Sequence, residues 1–407
     1  MAVSSELLLK NPLRLSGVTQ SYAWGKRGRD SLVAKLSGAK DLEAPYAEWW
    51  FGAHVSAPSE VYLGDELSSG VSLLELIKKA PQAVLGERVC ELFGESLPFL
   101  FKVLSIHSPL SIQAHPDLEL ARTLHGLDPK RYPDANHKPE MAFAVTDVTL
   151  LYGIRPSDEL KDELLRYQEF SMLIEELSLM EIKDFLKSVA APELSKKLFE
   201  LIFHASPEII TKYVKLLYAR IAKQTSKSAI EIWIEKVSKE YPEGDVGVFC
   251  FYLLNLVSLK PGDVIFIGAN IAHAYLEGDL VECMANSDNV VRAGLTPKPK
   301  DVDTLLSMLD HEQHFPTILL AIESASPWKW YAVPAREFTL ACLDGPSRVS
   351  DFKDEMELVF SLSGVGQFQA SDSTLPVAPG DCFLLSASCT EATLELETGK
   401  VFRVRVA

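Results

Sequence analysis

"SLKPGDVIFIGANIAH", residues 258–273, and "PVAPGDCFLLSASCTE", residues 376–391, share one plan. Each has a Pro-Gly-Asp turn, then an apolar strand, then a short loop. Pro-Gly-Asp is a common turn signal, because proline presets φ and glycine accepts a positive one. Placed twice ahead of similar strands, it predicts two jelly-roll barrels built to one pattern. The copies differ at their ends. The first reaches His273; the second has no histidine there. One barrel is therefore expected to carry chemistry and the other to be structural.

Strand patterns extend outward from both copies. "LPFLFKVLSI", "SIQAHP" and "EMAFAVTD" precede the first, and "MELVFSLSG", "GQFQA", "DCFLLSA" and "KVFRVRVA" run to the C-terminus. One segment breaks the pattern. It has no glycine between Gly153 and Gly244, and "ELKDELLRYQEFSMLIEEL" and "PEIITKYVKLLYARIAK" space their apolar residues as helices do. Ser206 before Pro207 reads as an N-cap with proline in the first helical position. The expected fold is mainly β with a helical insertion: two jelly-roll barrels plus an α-helical domain. Residues 1–155 and 244–324 form the first, discontinuous barrel, 156–243 the insertion, and 325–407 the second barrel.

The bulk properties set limits. A chain of 407 residues is long enough for two or three cores. Its 47% hydrophobic and 24% charged residues are ordinary for a globular protein. No apolar run reaches the ~18–20 residues of a membrane helix. "MAVSSELLLKNPLRL" lacks a secretory core and a transit character, so a cytoplasmic protein is expected. Six scattered cysteines without a C-x-x-C pair point to reduced structural thiols. A net charge of -16 argues against nucleic-acid and anionic-membrane partners. An anionic substrate would need its own local pocket of cations.

In "SIQAHP", Ser111, Gln113 and His115 share one face of a strand, and Ile112 and Ala114 the other. Pro116 biases His115 towards an extended backbone, and "DLELARTLH" then starts a covering helix. In "HKPEMAFAV", Lys138 and Glu140 share a face that small Ala142 and Ala144 continue. His273 is followed two residues on by Tyr275. Gln, His, Glu and His suit a borderline divalent metal such as zinc and leave positions open for water or substrate. Spacing alone does not decide this, since a lone histidine is more often a satisfied core or surface residue. "HEQHF" sets His311 and His314 at i, i+3 where a zinc-protease signature needs i, i+4, so it is not taken as a metal site. His54, His107, His125 and His137 are read as structural, surface or outer residues.

"QSYAWG", "PYAEWWFGAH", "SIQAHP", "NHKPEMAFA" and "HAYLEGDLVECMANSDNVVRAGLTPKPKDV" together resemble the type I mannose-6-phosphate isomerases, also called phosphomannose isomerases. The resemblance spans nearly the whole chain, in order. It implies a cupin-type catalytic jelly roll, a helical domain and a degenerate second jelly roll. It also implies one zinc ion held by Gln113, His115, Glu140 and His273. Arg292 falls on the family's catalytic arginine. Trp24 and Glu48 fall on cleft positions, and Lys102, Ser111, Lys138, Tyr275, Asp288 and Lys298 on further substrate-binding positions. Two residues depart from the pattern: Ala272 replaces the usual proline before the histidine, and Glu277 replaces a small residue.

The implied reaction interconverts D-mannose 6-phosphate and D-fructose 6-phosphate through an enediol or enediolate, between glycolysis and GDP-mannose synthesis. It needs a base, an electrophile and a grip on the phosphate. Zinc can polarise the carbonyl. Arg292, with a pKa above ~12, is no base but can steady developing negative charge. Glu282 is the candidate base, with zinc-bound hydroxide as its competitor. Asp288 or Lys138 would assist ring opening, and Ser111, Lys102, Lys138 and Lys298 would form the phosphate pocket. The resemblance implies a monomer. The alternatives are another metal-dependent cupin enzyme, such as an oxygenase or a different sugar-phosphate isomerase, and a non-catalytic two-barrel sugar-binding protein.

Overall fold

The computed structural model describes residues 9–62, 70–312, 315–323, 325–370 and 373–407. Its organising element is the long strand His273–Ala285. The first part pairs antiparallel with Val148–Ile154 and Ile112–Ala114. The second part pairs with Phe99–Ile106 and Glu140–Ala144. Between them the register slips at Tyr275/Glu277, and Gly278 adopts φ 127°. A Cβ at Gly278 would stand 2.6 Å from the Asp147 carbonyl oxygen, so only glycine allows this bend. One strand thereby serves two sheets, which enclose Leu104, Ile106, Ala142, Ala144, Leu150, Ile265 and Leu280.

Alternation then assigns the faces. Ile112, Ala114, Ala272, Ala274, Val291 and Ala293 join the apolar core of the helical insertion, with Leu160, Phe170, Phe199 and Val214. The residues between them, Gln113, His115, His273 and Arg292, are left for the barrel side. The polar half of "SIQAHP" is thus the inner half, and its apolar half is roofed by helices.

The insertion comprises Ser157–Arg166, Gln168–Ser178, Ile182–Ser188, Leu194–Phe203, Pro207–Ile221 and Ala229–Glu240. The Ser206 hydroxyl caps the fifth by accepting from the Ile209 amide. Ser228 and Glu231 form a reciprocal capping box on the sixth. The pattern over 159–177 reads as one helix, but Tyr167 breaks it into two. At the exit, Asp245 Oδ1 accepts from the amides of Gly247 and Leu295, both at 2.7 Å. A Cβ on Gly294 would lie 2.5 Å from Gly247 Cα. The insertion is therefore held directly against Val291–Gly294, the strand that bears Arg292.

The second barrel sets a four-stranded sheet against a longer one through Phe368, Phe383, Val359 and Leu394. The two Pro-Gly-Asp turns prove equivalent in detail. Asp263 Oδ2 accepts from the Lys260 amide at 2.7 Å, and Asp381 Oδ2 from the Ala378 amide at 2.9 Å. Gly262 and Gly380 take φ 97° and 91°. The strands Val264–Ile267 and Cys382–Leu385 follow. Division at residue 155 puts Leu13–Ser16, Glu60–Tyr62 and Gly70–Ser72 with the first barrel, yet they hydrogen-bond into the sheet of C-terminal strands, Leu13 opposite Leu384. Helices Leu73–Lys79, Pro81–Leu85 and Glu87–Phe93 also lie outside the insertion. The six cysteines are unpaired, five of them buried. Among the described residues no helix is long and apolar enough to cross a membrane.

Gly294→Ala forces a methyl into the contact with Gly247. Overpacking of this kind costs about 1–3 kcal/mol, so the urea midpoint should fall; an unchanged midpoint would refute the close packing of these strands.

Candidate metal centre

Two transverse rows of side chains build the site. In the first, Gln113 stands opposite His273 on one neighbouring strand and Arg292 on the other. In the second, Lys102 stands between Trp50 and Glu282, with Ala142 beyond. Directly opposed residues share a face, which converts four distant sequence segments into neighbours. His115 lies two residues beyond Gln113, and Glu140 begins Glu140–Ala144.

The ligand atoms of His115, Glu140 and His273 all lie within 4.8 Å of one another, and all three residues are buried. His115 Nε2 is 3.4 Å from Glu140 Oε1, and His273 Nε2 is 3.2 Å from Oε2. Each histidine spends its other nitrogen on a backbone carbonyl: His115 Nδ1 on Asn289 O at 2.8 Å, His273 Nδ1 on Ile271 O at 3.0 Å. A carbonyl only accepts, so each Nδ1 carries a proton and each ring turns its Nε2 to the carboxylate. Burial pushes the His115 pKa down to about 4, which keeps that ring neutral near pH 7 and its Nε2 lone pair bare. Two ring nitrogens thus face a carboxylate. Among the described residues His115 Nε2, His273 Nε2 and Glu140 Oε2 have no hydrogen-bond partner. Buried acceptors facing one another without a donor call for a cation. A nitrogen, nitrogen, oxygen set fits a borderline divalent ion such as zinc.

Gln113 and Lys138 lie between this triad and a cleft of about 740 Å³; both line it, together with Trp24, Glu48, Trp50, Lys102, Ser111, Asp288, Arg292 and Lys298. Gln113 Oε1 accepts from Ser111 Oγ at 3.2 Å. Lys138 Nζ approaches Glu140 Oε1 to 3.7 Å. Lys102 Nζ lies 3.3 Å from Glu48 and 3.7 Å from Glu282, over the Trp50 ring. Burial opposes its charge, but Glu48, Glu282 and Glu140 together raise its pKa above the ordinary lysine value. Arg292 differs. It is half-buried, its pKa is lowered by desolvation alone, and neither it nor Lys298 has an ion pair among the described residues. These two cations are available to an external anion.

Glu282 and Tyr275 are buried behind this lining rather than in it. The Tyr275 hydroxyl donates to Glu282 Oε1 at 3.1 Å. Burial, then the Glu140 charge, push the Glu282 pKa up to about 7, against the pull of Lys102 and Lys138. Asp288 is half-exposed, with Oδ2 3.3 Å from His54 Nε2; that contact holds its carboxyl below the usual range. His137 pairs with Glu337, His125 with the Tyr132 carbonyl, and His311 with Ser195. His314 lies outside the described residues. Glu277 pairs with Lys236 on the surface.

Several residues escaped sequence reasoning. Trp50 shares the face of Glu48 by simple alternation, so parity would have found it. Glu240 and Tyr241 bring the end of the helical insertion into the cleft wall, for which no local signal exists. Asn289 acts through its carbonyl, which no side-chain motif reports.

The family model for the catalytic domain of type I phosphomannose isomerase matches residues 13–157, and that for its helical insertion domain matches residues 165–254. A mannose-6-phosphate isomerase of Rattus norvegicus is 42% identical over 356 residues, 83% of each chain. One of Homo sapiens is 37% identical over 397 residues, covering 92% of this chain and 93% of its own. A crystal structure of mannose 6-phosphate isomerase from Salmonella typhimurium, bound to substrate (f6p) and zinc, superposes with a TM-score of 0.82. It is 29% identical and covers 97% of this chain and 99% of its own.

His273→Ala removes one nitrogen of the triad. Zinc affinity, measured by chelator competition, should fall by more than the ~10–100-fold typical of losing an outer partner. Retention of wild-type affinity would place the metal elsewhere.

Proposed function

The chain belongs to the type I phosphomannose isomerase family, and from that premise we propose that it interconverts D-mannose 6-phosphate and D-fructose 6-phosphate through an enediol, with zinc held by His115, Glu140, His273 and Gln113. One observation carries this reading. Three buried acceptors converge at the root of the cleft, and at its wall stand Arg292 and Lys298, which have no ion pair among the described residues. A metal suits the first group and a sugar phosphate the second.

Bound in the triad, zinc would supply Lewis-acid polarisation of the substrate carbonyl. Lys298, with Ser111 nearby in the lining, takes the phosphate. Its binding energy holds the reacting carbons in place. Arg292 directs N–H donors at the oxygen on which negative charge develops. Lys102 and Lys138 are matched by buried carboxylates, so they hold the site's charge balance and contribute less to the phosphate than Lys298 does. Trp24, Glu48 and Asp288 shape the sugar's bed, and Asp288 or Lys138 assists ring opening. Glu282 is the proposed base, because a pKa of about 7 lets it take and return a proton near neutrality. Lys102 separates it from the cleft, so this role requires that lysine to yield or to relay the proton; Tyr275 orients the carboxylate. The proposal includes action in the cytoplasm, as a monomer, between glycolysis and GDP-mannose synthesis.

A coupled assay on mannose 6-phosphate should show turnover that a chelator abolishes and zinc restores. Oxygen consumption instead of isomerisation would support an oxygenase. Arg292→Ala should keep its zinc and lose roughly 10²–10³-fold in kcat, the usual cost of one directed donor; normal kcat would end its assignment.

The pH profile tests Glu282. A base must be deprotonated, so kcat/KM should fall as pH drops through its pKa. Zinc neutralises the Glu140 charge that helps raise that pKa, so the limb in the loaded enzyme lies at or below about 7. Glu282→Gln should remove the limb along with most activity. A variant that keeps both would pass the role to another base.

A further inference from the structure

We propose that Asp134 is a positioning residue for the metal centre, acting through Asn289 to hold the His115 imidazole in its ligating tautomer and direction. The inference rests on the metal reading above. Asp134 and Asn289 neither line the cleft nor belong to the triad, so any effect they have on the metal must be transmitted.

The transmission is a set of hydrogen bonds between two loops. Asp134 Oδ1 accepts from Ser287 Oγ at 2.8 Å and from Asn289 Nδ2 at 3.2 Å. Its Oδ2 accepts from the Asp288 amide at 2.8 Å. Asn289 Nδ2 also donates to the carbonyls of Asp134, at 2.7 Å, and Asn136, at 2.9 Å. Ser287 Oγ closes the set by accepting from the Asn289 amide at 3.1 Å. Three donors converge on one side chain, which is why a carboxylate is needed there: it alone offers about four acceptor sites. Asn289 is fully buried, and its backbone is fixed on both sides. Its carbonyl is the acceptor for His115 Nδ1.

The loops joined here lead directly to the chemistry. From Asp134 the chain reaches Lys138 and Glu140 within six residues; from Asn289 it reaches Arg292 within three. Asp288, between the two partners of Asp134, lies in the cleft wall. One carboxylate therefore registers two metal ligands, a cleft aspartate and the arginine against one another. Outer partners that fix a ligating histidine typically govern metal affinity by 10–100-fold.

The test measures zinc affinity by chelator competition, and the visible spectrum after cobalt substitution, for full-length Asp134→Ala and Asn289→Ala. Each should bind zinc about 10–100-fold more weakly and shift the cobalt bands. Excess zinc should restore much of kcat. The double variant should be little worse than either single, because both act through one element. Asp301→Ala is the control: Asp301 bonds Arg131 and Tyr132, earlier in the Asp134 loop, and the Thr304 amide, and among the described residues it has no hydrogen bond to Asp134, Ser287, Asp288 or Asn289. It should stay within about twofold of wild type in zinc affinity, well inside the range expected of an outer partner. Wild-type zinc affinity with an unchanged cobalt spectrum in Asp134→Ala overturns the proposal, as does an equal loss in Asp301→Ala. If Asp134→Ala does not fold, Asp134→Asn decides. It keeps one acceptor oxygen but turns an amide N–H towards the Asp288 amide, so weaker zinc binding is expected and full affinity overturns the idea. A wild-type protein that binds no zinc would defeat the metal reading itself, and the positioning role with it.

Discussion

Three electron-pair-bearing atoms, His115 Nε2, His273 Nε2 and the Glu140 carboxylate, are held in mutual confrontation in the interior of a barrel. Among the described residues nothing donates to the two nitrogens or to Glu140 Oε2. Lys138 is the nearest cation, at 3.7 Å, and it reaches only one edge of the carboxylate. Removing a carboxylate from water is costly unless a partner compensates. An arrangement of this kind persists only because the surrounding backbone over-determines it. The two Nδ1 hydrogen bonds fix the rings, the strand ladders fix the Cα positions, and the bend at Gly278 brings both halves of one strand into the same site.

The helical insertion supports the same strands from outside. Imidazole, amide and guanidinium take up part of the inner face, beside the apolar cluster that includes Leu150 and Leu280. The outer face adds a second apolar contact. Ile112, Ala114, Ala272, Ala274, Val291 and Ala293 are small or branched, and helices can pack closely on such a surface. Apolar burial contributes roughly 25 cal/mol per Å², so the helical roof adds to the stability that the inner apolar cluster supplies. The Gly247–Gly294 contact and the Asp245 hydrogen bonds set the distance of that roof from the Arg292 strand.

Much of this was legible beforehand, for a physical reason. Strand alternation, helix caps and turn chemistry are local, and each is written within a few residues. The Pro-Gly-Asp copies, the Ser206 cap and the Gln113/His115 face are all of this kind. What escaped was non-local or a matter of depth. Nothing in "LRLS" says that Leu13–Ser16 will pair with a strand some 370 residues away. The helices over 73–93 are short and sit beside strands, where brief apolar runs are ambiguous. The resemblance marked Glu282 without saying that Lys102 would stand in front of it. The family resemblance marked positions, but it did not show which lysines would be matched internally and which left open.

The two barrels make that last distinction plain. In the second, Arg403 is completely buried, yet its guanidinium meets both oxygens of Glu357 and one of Asp351, at 2.5 to 2.8 Å, between Trp328, Trp330 and Phe352. Its charge is fully answered from within, as a structural ion pair must be if desolvation is not to dominate. The first barrel follows the same strand plan with the opposite electrostatic result. Its acceptors converge with Lys138 at one edge. In a chain carrying a net charge of -16, its Arg292 stands half-buried with no ion pair among the described residues. The same β framework therefore yields a closed charge system in one copy and an open one in the other. The open copy can bind a metal and an anion because its own residues do not complete it.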